Sequence, residues 1–189
     1  MPLISLQDLQ MGGSDSAVDG TLPQPRFRID HATTPQDLQD IAELFLEYTS
    51  SLGIDLAYQS FDQELAGLPG KYARPHGVLL IARSTDSTSK PVGCVALRPL
   101  PLPQPALSTR SELKRLYVRP DARGSGLGEA LARRALDEAR ASGYNEVVMD
   151  TLASMASARK LYAKLGFTET NAYYETPIVE TIFFRQTFS

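Results

Sequence analysis

The chain has 189 residues, of which 42% are hydrophobic and 22% charged, and its formal net charge is −3. These values fit one globular domain with a buried core and exclude a chain that is disordered throughout. The acidic balance argues against a nucleic-acid-binding protein, and no apolar run approaches the roughly 20 residues that span a bilayer. A single cysteine, Cys94, excludes an internal disulfide, and two distant histidines exclude a Cys/His zinc cluster.

The first 25 residues are rich in Gly, Ser, Asp, Gln and Pro, a composition typical of a mobile tail. They lack the basic stretch and long apolar core of a secretory signal, so we expect a cytoplasmic protein. We predict a disordered tail over 1–25, with a short helix at 4–9, followed by one domain over 26–189.

The first half of the domain shows both strand and helix patterns. Thr34 is placed to cap a helix that has Pro35 at its first position, and apolar residues then recur at helical spacing as far as Tyr48. A polar link between two apolar runs indicates a β-hairpin. The predicted elements are a strand at 26–29, this helix, a helical stretch at 61–68, and strands at 78–82 and 92–97.

The second half begins with a proline-rich segment, 99–109, which is predicted to be a loop or extended. The predicted elements after it are a strand at 112–118, a helix at 126–141, a strand at 146–151, a helix at 155–165, and strands at 167–170 and 182–188. The order βααβββαβαββ indicates a mixed α/β or α+β domain with a large sheet.

The most informative segment is the glycine-rich turn between strand 112–118 and the next helix. Gly124, Gly126 and Gly128 stand at a helix N-terminus, where unpaired N–H groups and the helix dipole attract an anion such as a phosphate. The turn lacks the Gly-Lys-Ser/Thr ending of a Walker A loop, and Glu129 replaces the last glycine of a GxGxxG motif. The residues alone leave a phosphate site and a plain helix cap equally open.

Two motifs resemble the cofactor sites of the GCN5-related N-acetyltransferases (GNAT). Arg-x-x-Gly-x-Gly at 123–128 resembles their acetyl-CoA loop, and Ala-x-x-Leu-Tyr-x-Lys-Leu-Gly-Phe at 158–167 resembles their second motif. The resemblance runs from about residue 26 to the C-terminus. It implies a central mixed, mostly antiparallel sheet of about seven strands flanked by about four helices. Met155 stands where the family often has an asparagine, which removes one polar cofactor contact.

The resemblance also implies acetyl-CoA as a cosubstrate, with no metal, and a set of cofactor contacts. The pantetheine arm would pair with the end of strand 112–118, and the pyrophosphate would lie on the glycine-rich turn. The implied contacts are Leu116, Tyr117, Val118, Arg123, Gly124, Ser125, Gly126, Leu127, Gly128 and Ala158.

The strand at 112–118 carries a pattern of its own. Leu113 differs in parity from Leu116 and Val118, so a regular strand cannot turn all three to one side. One extra residue near Lys114 or Arg115, a β-bulge, would bring them into line. The resembling family has a bulge in this fourth strand, which frees a main-chain N–H to polarise the thioester carbonyl.

Two residues are candidates for the chemistry of acyl transfer to an amine, which needs a proton acceptor and a proton donor. Glu112 is the candidate base, and the alternative is a strand-end carboxylate that is solvated or paired with Lys114 or Arg115. Tyr162 is the candidate acid for the departing thiolate. Helical spacing alone favours a core tyrosine, whereas the resemblance places a tyrosine beside the cofactor sulfur.

Three further residues are weaker candidates for binding the acceptor: His76, Tyr173 and Tyr174. Cys94 lies in an apolar run and is expected to be a buried small hydrophobe. The expected activity is an N-acetyltransferase acting on a primary amine of a small or amino-acid-like molecule. A protein acetyltransferase, a non-catalytic acyl-CoA sensor and a nucleotide-binding module remain alternatives. Dimers are frequent in the resembling family, and the C-terminal strand is a candidate pairing edge for a homodimer.

Overall fold

A computed structural model describes residues 26–53, 60–100 and 109–188. The predicted tail over 1–25, with its short helix at 4–9, lies outside the described residues, as does most of the proline-rich segment 99–109. In the described part of the chain, no helix is long and apolar enough to cross a membrane.

The described residues form seven strands and four α-helices in the predicted order, which confirms the fold class. The strands are β1 Phe27–His31, β2 Val78–Ser84, β3 Pro91–Pro99, β4 Arg110–Val118, β5 Glu146–Leu152, β6 Thr168–Thr170 and β7 Thr181–Thr187. The helices are α1 Pro35–Leu52, α2 Phe61–Ala66, α3 Leu127–Ala141 and α4 Ala156–Lys164. Helix α1 begins as predicted, because Thr34 and Asp37 form a reciprocal capping box and Pro35 occupies the first position.

All seven strands join one sheet in the order β1-β2-β3-β4-β5-β7-β6. Strands β4 and β5 run parallel, and the other strand pairings among the described residues are antiparallel. The β4–β5 pairing starts at Arg110 and ends where Glu112 faces Val148. Beyond that pair both strands continue without pairing to each other, so a V-shaped gap opens in the middle of the sheet.

Each side of the sheet is covered by its own hydrophobic core. On one side Leu131 and Leu136 of α3 and Tyr162 of α4 pack on the strands, and we call this the α3/α4 face. On the other side Leu44 of α1 and Phe61 of α2 do the same, and we call this the α1/α2 face. Side chains alternate between these faces along each strand.

The predicted bulge in the fourth strand is confirmed. Val95 of β3 faces both Arg115 and Leu116 of β4, and Arg115 adopts the left-handed backbone conformation with φ 56°. As the parity argument requires, Leu113, Leu116 and Val118 all pack into the core on the α3/α4 face.

Cys94 is fully buried opposite this bulge, and its thiol donates to the Arg115 carbonyl at 3.4 Å. Burial raises the pKa of the Cys94 thiol, which fits the expected role of a small core residue rather than a nucleophile.

The expectation that the C-terminal strand is a free pairing edge is wrong. Strand β7 pairs with β5 from Thr181 to Thr187, and its other side pairs with β6 over Phe183–Arg185. The chain reaches β7 only after β6 has been placed outside it, an order that local sequence patterns do not reveal.

Candidate active site

A cleft of about 710 Å³ opens where β4 and β5 diverge. Its walls come from the end of α1, the end of β4, the glycine-rich turn, and the first turns of α3 and α4. A volume of this size suits a small-molecule ligand or the arm of a larger one.

Nine of the ten residues predicted to contact a cofactor line this cleft. They are Leu116, Tyr117, Val118, Arg123, Gly124, Gly126, Leu127, Gly128 and Ala158. The tenth, Ser125, is not among the lining residues, because its hydroxyl turns to donate to the Ala122 carbonyl at 2.6 Å and so fastens the turn. The contact of the nine with a cofactor remains a prediction.

The glycine-rich turn presents backbone rather than side chains to the cleft. Gly124 and Gly126 have φ of 74° and 83°, a left-handed conformation that favours glycine, and Gly126 is the N-cap of α3. The Arg123 side chain donates from Nε to the Val118 carbonyl at 3.1 Å, which ties the turn to the end of β4. The unpaired N–H groups of the first turn of α3 therefore adjoin the cleft.

The start of α4 forms the opposite wall of the cleft. Ala156, Ser157 and Ala158 line it, and Met155 precedes them as the N-cap. Sequence reasoning singled out Ala158 alone, although the whole first turn contributes. Met155 also lines the cleft, so an apolar side chain stands at the position where the resembling family often has an asparagine.

Tyr162 lies in the core and also borders the cleft, so both positions that the sequence left open apply to it. Its ring lies in the core, 5% exposed, with the rings of Phe167 and Phe184 at centroid distances of 6.0 and 6.1 Å. It also lines the cleft, and no other described residue hydrogen-bonds to its hydroxyl. Burial raises the pKa of Tyr162, so the phenol keeps its proton at neutral pH.

A small inner cavity of about 40 Å³ adjoins the cleft and shares lining residues with it. Residues from both faces of the sheet line it, including Tyr48 of α1, Lys114 of β4, Asp150 of β5 and Tyr162 of α4. The cavity has room for a few water molecules or for an amino group. It connects the two faces at the point where β4 and β5 separate.

The structure places Glu112 at the last paired position before the gap, with 1% of the residue exposed. Arg98 donates from Nε to Glu112 Oε2 at 2.7 Å, and its Nη2 lies 2.6 Å from the same oxygen. The Tyr173 hydroxyl donates to Glu112 Oε1 at 2.9 Å. Lys114 Nζ lies 3.5 Å from Glu112 Oε1, which agrees in part with the alternative that Glu112 pairs with Lys114. Glu112 lines neither the cleft nor the inner cavity in the described part of the chain.

The three candidate acceptor residues fall into two places. Tyr173 and Tyr174 pack edge-on against each other and against Phe183, close to Glu112 and to the Lys114 ammonium. They therefore border the gap on the α1/α2 face.

His76 lies elsewhere, exposed on the surface, where its carbonyl accepts from the Tyr144 hydroxyl. Tyr144 follows the C-terminal end of α3, and that 15-residue helix is about 22 Å long. The structure therefore does not bring His76 to the cleft, because the helix separates it from the glycine-rich turn.

Sequence reasoning missed two contributions to the site. Tyr48, Ser51 and Leu52 at the end of α1 line the cleft, although the helical pattern assigned Tyr48 simply to a core-facing stripe. Asp150 lines the inner cavity at the end of the apolar run of β5. In the sequence, the feature that could have identified Asp150 is a single carboxylate at the end of an apolar run typical of a buried strand.

Comparison with known proteins agrees with this geometry. The model of the acetyltransferase (GNAT) family matches residues 38–167. An uncharacterised N-acetyltransferase of Schizosaccharomyces pombe is 40% identical over 151 residues, which is 80% of this chain and 88% of that protein.

Two solved structures share the fold at lower identity. The NatC complex bound to Gag peptide and CoA has a chain that matches with a TM-score of 0.67 and 18% identity, covering 87% of this chain and 99% of that chain. A Salmonella typhimurium protein described as an acetyltransferase, with its cofactor acetyl-CoA, matches with a TM-score of 0.60 and 20% identity, covering 86% and 94%.

Proposed function

The chain belongs to the acetyltransferase (GNAT) family, and from that premise we propose that it transfers an acetyl group from acetyl-CoA directly to a primary amine. One observation carries the proposal. The bulged strand, the glycine-rich turn and the Tyr162 hydroxyl, which are distant in sequence, all border one cleft.

The residues present fit the two ends of acetyl-CoA. The N–H groups at the start of α3, with Arg123 beside them, suit the pyrophosphate. Beyond Glu112 the edge of β4 that faces the gap is not paired with β5, so the backbone of Leu116–Val118 is available to the amides of the pantetheine arm. This fit supports the choice of acetyl-CoA over a plain nucleotide.

The chemistry requires a polarised carbonyl, a neutral amine and a protonated leaving thiolate. The bulge at Arg115 interrupts the β3–β4 ladder and supports the proposed main-chain N–H donor to the carbonyl. Tyr162 keeps its proton at neutral pH and has no other described hydrogen-bond partner, which supports its role as donor to the thiolate.

The acceptor that we propose is slender near its amino group. The inner cavity of about 40 Å³ is far smaller than the cleft of about 710 Å³, which favours an amino group on a slender chain over one with bulky substituents. A small primary amine or amino-acid-like molecule fits this shape. The side chain of a protein lysine is equally slender at its end, so a protein acceptor is the second candidate.

The test is an acceptor screen with acetyl-CoA. The panel holds an α-amino acid, a polyamine, an arylalkylamine, a peptide with a free N-terminus, and an N-terminally blocked peptide with one lysine. Release of free thiol above the rate without amine is expected for at least one class. Tight CoA binding with no thiol release from any class would instead support a non-catalytic acyl-CoA sensor.

A further inference from the structure

An ion pair spans the point where β4 and β5 separate. The last paired residues, Glu112 and Val148, are followed on the same face of each strand by Lys114 and Asp150. Lys114 Nζ lies 2.9 Å from Asp150 Oδ1. Side chains thus bridge the two strands where the backbone hydrogen bonds stop, and both residues line the inner cavity.

Asp150 is the carboxylate that this cavity presents. Its side chain is 18% exposed, against 1% for that of Glu112. Among the described residues that line the inner cavity, Asp150 is the single acidic one. A general base must come within hydrogen-bond reach of its proton, directly or through one water. Access to the cavity therefore favours Asp150 over Glu112.

Asp150 and Tyr162 reach the cavity from opposite sides of the sheet. Met149 packs into the core on the α3/α4 face, so strand alternation turns Asp150 to the α1/α2 face, whereas Tyr162 belongs to the α3/α4 face. An acyl carbon held in the gap would have the proton donor on one side and the carboxylate on the other. That arrangement matches a reaction in which an amine attacks from one side and a thiolate leaves toward the other.

We propose that Asp150 is a catalytic residue that receives the acceptor's ammonium group and takes its proton, and that Lys114 is a positioning residue that holds the carboxylate. The inference rests on the proposed function. Asp150 accepts the first proton of the ammonium and releases it to solvent. The C–N bond forms, the C–S bond breaks, and Tyr162 gives its proton to the thiolate. The second nitrogen proton returns to Tyr162 through water, so each turnover releases one proton.

Lys114 has a second partner when an ammonium reaches Asp150. Its Nζ lies between Asp150 at 2.9 Å and Glu112 at 3.5 Å, and Arg98 also holds Glu112. An arriving ammonium can displace Lys114 toward Glu112 without leaving a buried charge unpaired, which would otherwise be costly. This assigns Glu112 to holding Lys114 rather than to contact with the acceptor.

Two tyrosines near Asp150 are uncharged at neutral pH. Asp150 interacts electrostatically with Tyr162 from α4 and with Tyr173 from the segment before β7. Burial raises the pKa of both phenols, and for Tyr173 the nearby Glu112 adds to the effect. Both therefore stay neutral, and Lys114 and Glu112 are the charged groups that face the carboxylate from β4.

The test compares Asp150→Asn and Glu112→Gln, with Asp137→Asn on the exposed side of α3 as the matched control. The readouts are kcat/KM for the amine that the wild type acetylates fastest in the panel, its pH profile, and the CoA dissociation constant by calorimetry. Asp150→Asn is expected to lower kcat/KM by about 10²- to 10⁴-fold and to recover at alkaline pH, where the amine is already neutral. CoA affinity should stay within about twofold.

Chemical rescue separates a proton acceptor from a structural residue. Sodium formate, but not sodium chloride, should restore part of the activity of Asp150→Ala, because formate supplies a carboxylate in the vacated space. A near-wild-type kcat/KM in Asp150→Asn would overturn the inference. So would a pH profile in which the fall of kcat/KM at low pH disappears more completely in Glu112→Gln than in Asp150→Asn. Loss of CoA binding in the Asp150 variants with no rescue by formate would also overturn it. A wild type that acetylates no amine would overturn the proposed function as well, so the two failures are distinguishable.

Discussion

At the residue scale, Tyr162 belongs to the core and also borders the cleft, where we propose that it is the proton donor. The apolar ring packs between two phenylalanines, and the polar hydroxyl meets the cleft. The helical pattern of α4 correctly predicts that the ring is buried. The direction of the hydroxyl depends on the gap between β4 and β5, which no local pattern encodes.

Replacing Tyr162 with phenylalanine removes the proton donor and leaves the packed ring. We expect kcat to fall by about 10²-fold with the acetyl-CoA KM within twofold, because the lost interaction belongs to the transition state. Steady-state kinetics against Tyr144→Phe, a tyrosine beyond the far end of α3, measure the effect. An unchanged kcat would remove Tyr162 from the mechanism.

Substitution of Gly128 is expected to change the stability of the protein and its affinity for CoA in opposite directions. A methyl group there would meet Val118 and Leu161 at 3.7 and 3.8 Å, which is ordinary contact, and the residue lies inside α3. Gly128→Ala is therefore expected to raise the free energy of unfolding by about 0.5–1 kcal/mol through helix propensity. The same methyl narrows the cleft, so CoA affinity should fall. Urea unfolding measures the stability, and calorimetric titration measures the CoA affinity. An unchanged CoA affinity would argue against the start of α3 as part of the binding surface.

At the element scale, the bulge of β4 is tied to α2. The Arg115 guanidinium donates from Nε and Nη2 to Glu64 at 2.9 and 2.8 Å and lies 5.1 Å from the centre of the Phe61 ring. The Tyr72 hydroxyl also donates to Glu64 at 2.9 Å. This network joins the strained residue of the bulge to the helix on the α1/α2 face, and it holds the backbone that we assign to the thioester.

The variant Glu64→Gln, compared with the wild type at two pH values, tests whether the ion pair of Glu64 with Arg115 stabilises the bulge. Burial alone would raise the pKa of Glu64, but the Arg115 hydrogen bonds and charge outweigh it and lower the pKa below the ordinary 4.5. The stability from the pair is therefore complete above about pH 4.5 and is lost as the pH falls through the lowered pKa of the folded state. We expect Glu64→Gln to destabilise the protein by about 2 kcal/mol at neutral pH.

The difference between Glu64→Gln and the wild type should shrink in acid, as Glu64 itself becomes protonated. Urea unfolding of both proteins at neutral pH and at about pH 3 gives the comparison. An equal difference at both pH values would show that the ionised carboxylate does not stabilise the bulge.

Elements with a strong local pattern were predictable, whereas relations between distant elements were not. The parity of Leu113 and Leu116 predicts the bulge because the two cores on opposite faces impose alternation. The same reasoning cannot show that β7 lies between β5 and β6, or that His76 lies beyond the far end of α3. Asp150 became a candidate only when the register of β4 and β5 was known.

At the scale of the whole molecule, the gap in the sheet organises the site. Two helix N-termini face the cleft from the α3/α4 side, and the charged pair of Lys114 and Asp150 lines the inner cavity from the α1/α2 side. The net charge of −3 therefore coexists with a locally positive helix N-terminus at the start of α3, which we propose as the phosphate site.

Ligand-induced stabilisation tests this arrangement on the intact protein. CoA at about 100 times its dissociation constant is expected to stabilise the fold by about 2.7 kcal/mol, which corresponds to a rise in Tm of about 5–10 °C for a chain of this size. ATP and NAD at the same concentration should give little rise, because neither carries a pantetheine arm to pair with β4. A larger rise with ATP or NAD than with CoA would favour a nucleotide-binding module.

The most direct measurement follows the acetyl group itself. Acetyl-CoA labelled with ¹³C in the acetyl group is incubated with the protein and the best amine of the panel, and mass spectrometry counts labelled product against released thiol. Direct transfer predicts one labelled N-acetyl amine for each thiol released. Thiol release without labelled amine, or neither product despite CoA binding, would contradict the assignment of this cleft as an N-acetyltransferase active site.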